Sequence, residues 1–299
     1  MARIRTDRAA TLYLIRPLRR CIPSRESLRI PILMYHSISE SECQNLHPYF
    51  VTETSVQVFE THMKFLSDNG YQTITTEDVV ALLNSPQKLT GKNVVITFDD
   101  GYRDFYRNAF PILNKYGYRA TVYLPTAYIN QRVHTFKGKE CMTWAEVREL
   151  REVGILFGSH TVSHPQLRFV SLPDLEYEVK VSKDTIEDEI GEPIRSFAYP
   201  YAFPEGDSAF IHRLRDLLGT CGYKNGVSTV IGSSHSLEDH FFLRRLPANS
   251  KDDLALFRAK LEGDYDWLHT AQYLKKLLTK GTPRRSSAPT AGSSPAISH

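Results

Sequence analysis

Asn93-Val-Val-Ile-Thr-Phe-Asp99-Asp100-Gly101-Tyr-Arg-Asp104 sets two adjacent carboxylates at the C-terminal end of an apolar, β-branched run, with a glycine directly behind them. Strands buried on both faces of a parallel sheet read as continuous Val/Ile runs, and functional groups in α/β folds collect where such strands end. Side chains alternate along a strand, so Asp99 and Asp100 start on opposite faces. A turn at Gly101 would bring both into one pocket. Taken alone, the same residues also fit an Asp-Asp-Gly turn that opens a helix.

Outward from this stretch, strand-like segments recur near 30–35, 71–75, 93–98, 118–124, 155–158, 196–199, 226–230 and 242–246. Helical patterns lie between most of them. Phe59, Met63 and Leu66 repeat on one face before Gly70, Thr143 with Glu146 makes a capping box, and Leu175, Val179, Ile186 and Ile190 mark another amphipathic stretch. Such alternation predicts an α/β fold with a parallel sheet wrapped by helices.

Ser159-His160-Thr161-Val162-Ser163-His164 follows a second short apolar segment, 154–158. Two imidazoles at this spacing can grip one cation. With a single aspartate they leave coordination positions open for water and substrate, the layout of a catalytic rather than a structural metal site. Pro165 disfavours helical backbone at His164, so the motif is expected on a strand-to-helix turn. Solvated surface histidines are the competing reading of the pair.

Together, in this order and 60 residues apart from Asp100 to His160, the two motifs resemble the polysaccharide deacetylases of carbohydrate esterase family 4, which share a NodB-like domain. Arg195-Ser-Phe-Ala-Tyr199-Pro200-Tyr201-Ala202 is similar to a third family motif, with Ala202 in place of its usual glycine. Arg29-Ile-Pro-Ile-Leu-Met-Tyr-His36, Phe59, Gly70-Tyr71 and Thr143-Trp144-Ala145-Glu146 further resemble a subgroup acting on exopolysaccharide or peptidoglycan. The resemblance covers roughly residues 30 to 250.

The resemblance implies a distorted, incomplete (β/α) barrel and a division of labour. Asp99 would be the base, oriented by Arg195; Asp100, His160 and His164 would hold one divalent metal ion, zinc first, with cobalt, nickel or manganese as substitutes. The backbone N–H of Tyr201 would face the oxyanion, and Tyr199 and Pro200 would line the substrate. Many members carry a later histidine as general acid, but nothing after residue 205 matches that motif. His36, which ends an apolar strand-like run, is the better substitute than His235 or His240 in polar surroundings. Arg244 or Arg245 is expected to contact substrate or orient the acid, and Trp144 to stack on a sugar ring or pack in the core.

The expected activity is removal of N-acetyl groups from an amino-sugar polysaccharide, oligosaccharide or lipid-linked glycan precursor. An O-acetyl esterase of the acetyl-xylan type, or an inactive carbohydrate-binding protein on the same fold, are the alternatives. An inactive relative would be marked by loss of Asp99 or a metal ligand, and all are present.

Charge is unevenly placed. The 299-residue chain carries +3 in total, the first 30 residues +6 and the segment from 281 onward +2, which leaves the middle at −5. No basic face for nucleic acid is expected in the body. Residues 1–29 read as a basic arm, disordered or lying on an anionic membrane surface, since the short apolar run 9–15 is interrupted by Arg16 and lacks a small-residue cleavage site. That reading favours a cytoplasmic protein. Residues 30–280 form the expected single domain, and 281–299, rich in Ser, Pro and Ala, the expected disordered tail. Cys21, Cys43, Cys141 and Cys221 form no paired motif and read as free thiols.

Overall fold

The computed structural model describes residues 5–21, 28–40, 51–85, 91–235 and 238–270. The tail 281–299 lies outside them. Its barrel is built from Ile32–Tyr35 (β1), Tyr71–Thr73 (β2), Lys92–Phe98 (β3), Thr121–Leu124 (β4), Leu156–Ser159 (β5), Ser196–Ala198 (β6), Asn225–Ile231 (β7) and Leu243–Pro247 (β8). Seven of these are parallel and close into a ring, with β1 paired to β3 on one side and to β8 on the other. β2 pairs only with the first residues of β3, from Tyr71↔Lys92 to Thr73↔Val94.

The predicted strands therefore appear with small shifts. The first is broken at Pro31, which lacks the N–H a ladder needs.

The helices follow their sequence signals. Val56–Asp68 (α1) starts at the Ser55 cap and ends before Gly70, whose φ of 71° is a left-handed stop. Thr76–Asn84 (α2), Trp144–Glu152 (α3) and Leu172–Ile190 (α4) follow, and α3 carries the predicted Thr143/Glu146 capping box. Leu254–Leu261 (α5) follows the last barrel strand.

Alternation along β3 divides the core in two. Val94, Ile96 and Phe98 join the outer layer between strands and helices, which includes Phe59, Met63 and Leu66 of α1. Val95 points inward with Ile32, Tyr123, Ala198, Val227 and Leu243, and Val79 and Leu83 of α2 pack onto that inner cluster. Thr76 Oγ1 reaches Ser196 Oγ at the start of β6, so α2 plugs the N-terminal end of the ring. The C-terminal end stays free for polar groups.

The amino-terminal segment departs from the expected loose arm. Residues Thr6–Cys21 are helical and lie along the acidic residues around α5. Arg5 pairs with Asp252 at 2.8 Å, Arg8 with Asp253 at 2.6 Å, Arg16 with Glu262 at 2.6 Å and Arg19 with Asp264 at 3.2 Å. Tyr265 donates to Asp7 at 2.6 Å and Trp267 to Thr11 at 3.0 Å. Four arginines of the arm and part of the acidic charge of the middle are thus the two halves of one contact. Tyr13, Leu14 and Leu18 remain exposed on its outer side. No helix among the described residues is long and apolar enough to cross a membrane. Cys21, Cys141 and Cys221 are free thiols, and Cys43 lies outside the described residues.

Candidate active site

Asp99 follows the last residue of β3, and its backbone N–H donates to Tyr35 O at 3.0 Å. Its carboxylate is 2% exposed and is gripped by Arg245 of β8, Nη1 to Oδ1 at 2.6 Å and Nη2 to Oδ2 at 2.7 Å. Arg245 is fully buried; its Nε donates to Ser228 O at 2.9 Å and Nη1 also reaches Thr97 Oγ1 at 3.3 Å. Such a two-pronged pair fixes both position and charge. Burial pushes Asp99 towards the neutral form, but the charge of Arg245, with His160 and His36, outweighs it and holds the carboxyl below its ordinary value. His36 Nε2 stands 4.0 Å from Asp99 Oδ2, too far for a hydrogen bond.

Asp100 turns the chain. Its φ of 70°, followed by 61° at Gly101, swings its carboxylate to the same side as Asp99, one residue earlier than a turn at the glycine would. A β-carbon on Gly101 would lie 3.0 Å from both Leu124 Cδ2 and Ile129 Cδ1. His160 Nε2 stands 3.7 Å and His164 Nε2 3.3 Å from Asp100 Oδ1, and the three side chains are buried.

The donor chemistry fits a cation. His160 Nδ1 lies 2.8 Å from Ala198 O, and a carbonyl only accepts, so the proton is on Nδ1 and the Nε2 lone pair faces Asp100. Burial, reinforced by His164, lowers His160 to about 4, so it stays neutral near pH 7. Asp100 Oδ1 is buried and receives no hydrogen bond. Burial would raise Asp100, yet His164 beside it and the charge of the Lys137 ammonium hold it well below the usual carboxylate range. An imidazole lone pair and a carboxylate oxygen facing each other in a dry site are two acceptors without a donor. A divalent first-row ion supplies what both lack.

The loop carrying the histidines is irregular, not a helical turn. Thr161 and His164 have φ of 72° and 57°, and Glu178 of α4 secures the span between them. Its Oε2 accepts from Val162 N and Ser163 N, both at 2.8 Å, and Oε1 from Ser163 Oγ at 2.5 Å. Glu178 was not singled out from the sequence. Its signal was available: it falls on the buried face that Leu175, Val179, Ser182 and Ile186 define, where a carboxylate needs a reason.

Comparison with known proteins agrees with this geometry. A family model described as polysaccharide deacetylase matches residues 87–225. YxkH of Bacillus subtilis (strain 168), named as a polysaccharide deacetylase, is 30% identical over 241 residues, covering 81% of this chain and 79% of that one. The chain belongs to the polysaccharide deacetylase family. It is also 24% identical over 195 residues to the poly-beta-1,6-N-acetyl-D-glucosamine N-deacetylase of Staphylococcus aureus, covering 58% of this chain and 65% of that enzyme. Among solved structures, the Streptococcus pyogenes deacetylase PplD in complex with acetate superposes with a TM-score of 0.67 at 27% identity, covering 79% of this chain and 99% of that one.

Set against the family pattern, several residues stand elsewhere than the sequence suggested. Arg195 is not near Asp99: it precedes β6, is exposed, and pairs with Glu77 of α2 at 3.2 Å at the N-terminal end of the barrel. The arginine on Asp99 is Arg245, which is sealed from any substrate. Arg244 instead pairs with Glu238 at 2.8 Å. Trp144 is buried at the start of α3, and Tyr199 is buried against Phe203 and Phe210, so both rings serve the core. Pro200 is buried, and Tyr201, at φ 58°, presents a half-exposed ring 4.5 Å from that of His164.

Proposed function

We propose that the chain is a metal-dependent N-deacetylase of amino-sugar glycans. The observation that carries the reading is the adjacency of two differently served carboxylates. Asp99 is committed to Arg245, whereas Asp100 faces His160 and His164 with an oxygen no donor reaches. A divalent ion held by Asp100, His160 and His164 would polarise the acetyl carbonyl and acidify a water.

The rest falls to the chain's own residues. Asp99, kept ionised by Arg245, accepts the proton of the attacking water. The water oxygen adds to the acetyl carbon, the carbon–nitrogen bond breaks, and acetate leaves with a free amine. The proton that Asp99 takes passes by way of His36, which stands beside it and which burial keeps from holding a proton at rest, to the departing amine, so the base is restored. The backbone N–H of Tyr201 faces the developing oxyanion. The Staphylococcus aureus relative's N-deacetylase name supports amide over ester chemistry. Zinc suits the donor set, and cobalt, nickel or manganese suit it next. A peripheral membrane contact, if made, rests on Tyr13, Leu14 and Leu18, because the arginines beneath them are engaged.

Two variants test the division of labour. Asp100→Ala is expected to lose bound metal, by elemental analysis, together with acetate release from N-acetylglucosamine oligomers. Asp99→Asn is expected to keep the metal and lose turnover by about two to four orders of magnitude. An active Asp99→Asn enzyme, or Asp100→Ala with full metal content, refutes the assignment.

A further inference from the structure

A lysine outside the family motifs touches the site. Between α3 and β4's end, Thr135–Phe136 pairs antiparallel with Lys139–Glu140, and the tip is Lys137-Gly138, with φ of 50° and 79°. Two consecutive left-handed residues make the tight hairpin turn in which Asn or Gly is the ordinary first residue, so a lysine there needs a reason. The hairpin is tied to the Asp100 turn: Met142 N donates to Gly101 O at 3.0 Å, and Tyr102 bridges to Cys141. The tip is thereby held over the reaction centre. Lys137 Nζ lies 3.4 Å from Asp100 Oδ2, 4.5 Å over the Phe136 ring and 5.3 Å over the Tyr201 ring. Those two rings flank His164, at 5.2 and 4.5 Å between centroids.

We propose that Lys137 is a movable counter-charge of the reaction: it neutralises Asp100 before the metal arrives, and afterwards binds the negative oxygen that develops on the acetyl group. The inference rests on the functional reading above. An ammonium and a divalent ion cannot both sit against one carboxylate without strong repulsion at a few ångströms. A metal held by Asp100, His160 and His164 would displace the lysine, whose side chain is 41% exposed and can move outward. Phe136 and Tyr201 offer their ring faces to the ammonium on that path, which limits how far it strays. A full positive charge then stands beside Tyr201, unpaired with a carboxylate, where the acetyl oxygen turns negative. Donors placed for a charge present only in the transition state act on turnover rather than on binding.

Lys137→Met keeps the stem and the β-carbon, and Lys137→Arg keeps the charge. Metal-free protein titrated calorimetrically with Zn2+ is expected to bind about two- to tenfold more tightly as Lys137→Met than as wild type, since a competing ion pair of modest strength is removed. A merely structural role would weaken the metal instead. In the loaded enzyme, kcat for acetate release is expected to fall about 10- to 100-fold with KM within about threefold, and Lys137→Arg to recover part of it. Equal or weaker zinc affinity, or kcat within about twofold of wild type, overturns the proposal. Should Lys137→Met not fold, Lys137→Gln carries the same two readouts. A wild type that neither binds zinc nor releases acetate takes down the functional reading itself, whereas a normal wild type with an unaffected variant removes Lys137 alone.

Discussion

Replacing Arg245 by methionine isolates the interaction that distinguishes this site from a surface constellation. Arg245 is fully buried and makes two short bonds to a carboxylate that is itself 2% exposed, so the variant strands an uncompensated charge. Breaking a buried pair from one side costs about 3–5 kcal/mol. At about 2–4 °C per kcal/mol for a chain approaching this size, Tm is expected to fall by about 6–20 °C. The sign of the pH dependence follows from the balance on Asp99. In the wild type burial pushes its pKa up, but Arg245 leads the charges that bring it below its ordinary value, so its stabilisation is present above the unfolded pKa and is lost as pH falls through the folded one. Without Arg245 burial wins and the folded pKa rises. Ionising Asp99 then costs more as pH climbs, so the Tm gap between variant and wild type is expected to widen above about pH 4, and the acid limb of kcat/KM to move up. Differential scanning calorimetry from pH 5 to 8 and a pH–rate profile read both. Adding Asp99→Asn to the variant should recover part of the stability, because the orphaned charge is gone. Arg195→Ala, which breaks only an exposed pair with Glu77, is expected to cost about 0–1 kcal/mol and to leave turnover unchanged. A Tm within about 2 °C of wild type for Arg245→Met, with an unmoved acid limb, would refute the reasoning.

Two further outcomes are expected. His36→Ala should damage amide hydrolysis more than hydrolysis of an activated acetyl ester, whose leaving group needs little protonation; equal losses would mean that His36 only orients Asp99. His62, stacked on Phe257 at 3.9 Å with Nδ1 accepting from Tyr35 Oη and Nε2 donating to Asp252 O, is lowered by burial to about 4. Its unfolded form takes a proton first as pH drops below about 6.5, so stability is full above that value and declines towards pH 4 by on the order of 3 kcal/mol. His62→Gln should flatten that slope in denaturant titrations at pH 7 and 4.5, and an unchanged slope would exclude His62 as its source.

The barrel and the clustering of Asp100, His160 and His164 were legible because each rests on local chemistry. The β-branched run 93–98 favours a buried strand, and Asp100, His160 and His164 ride on short segments whose place at strand ends follows from the run before them. What was not legible depends on which strands become neighbours. Arg195 and Arg245 both precede or occupy barrel strands, but Arg195 comes before β6 and so at the wrong end, whereas Arg245 lies within β8, adjacent in the ring to β1 and one strand from β3. Only ring closure puts it against Asp99. The packing of the arm was not legible for a similar reason. Counting Arg against Asp and Glu along the chain gave +6, and the partners Asp252, Asp253, Glu262 and Asp264 lie about 245 residues away in sequence.

Backbone strain supplies the remaining link between fold and chemistry. Among the described residues, the non-glycine positions with left-handed backbone are Asp100, Lys137, Thr161, His164 and Tyr201, and each belongs to, or directly contacts, the pair Asp100 and His164. Such conformations cost about 1–3 kcal/mol each and persist only where their surroundings over-determine them. Here the surroundings are identifiable: Glu178 clamps the histidine loop, Thr161 Oγ1 accepts from His164 N at 3.0 Å, Thr229 Oγ1 donates to Tyr201 O at 2.8 Å, and Met142 N ties the Asp100 turn to the lysine hairpin. A fold under no demand from its site would place glycine at these turns, as it does at Gly70 and Gly191 where helices merely end. The side chains kept at the strained positions are two of the Asp100–His160–His164 group, the residue bracing one of them, and the lysine and tyrosine packed beside them. The strain is therefore a consequence of holding those groups in place, and the closed ring with its buried Asp99–Arg245 pair is the rigid frame that sustains it.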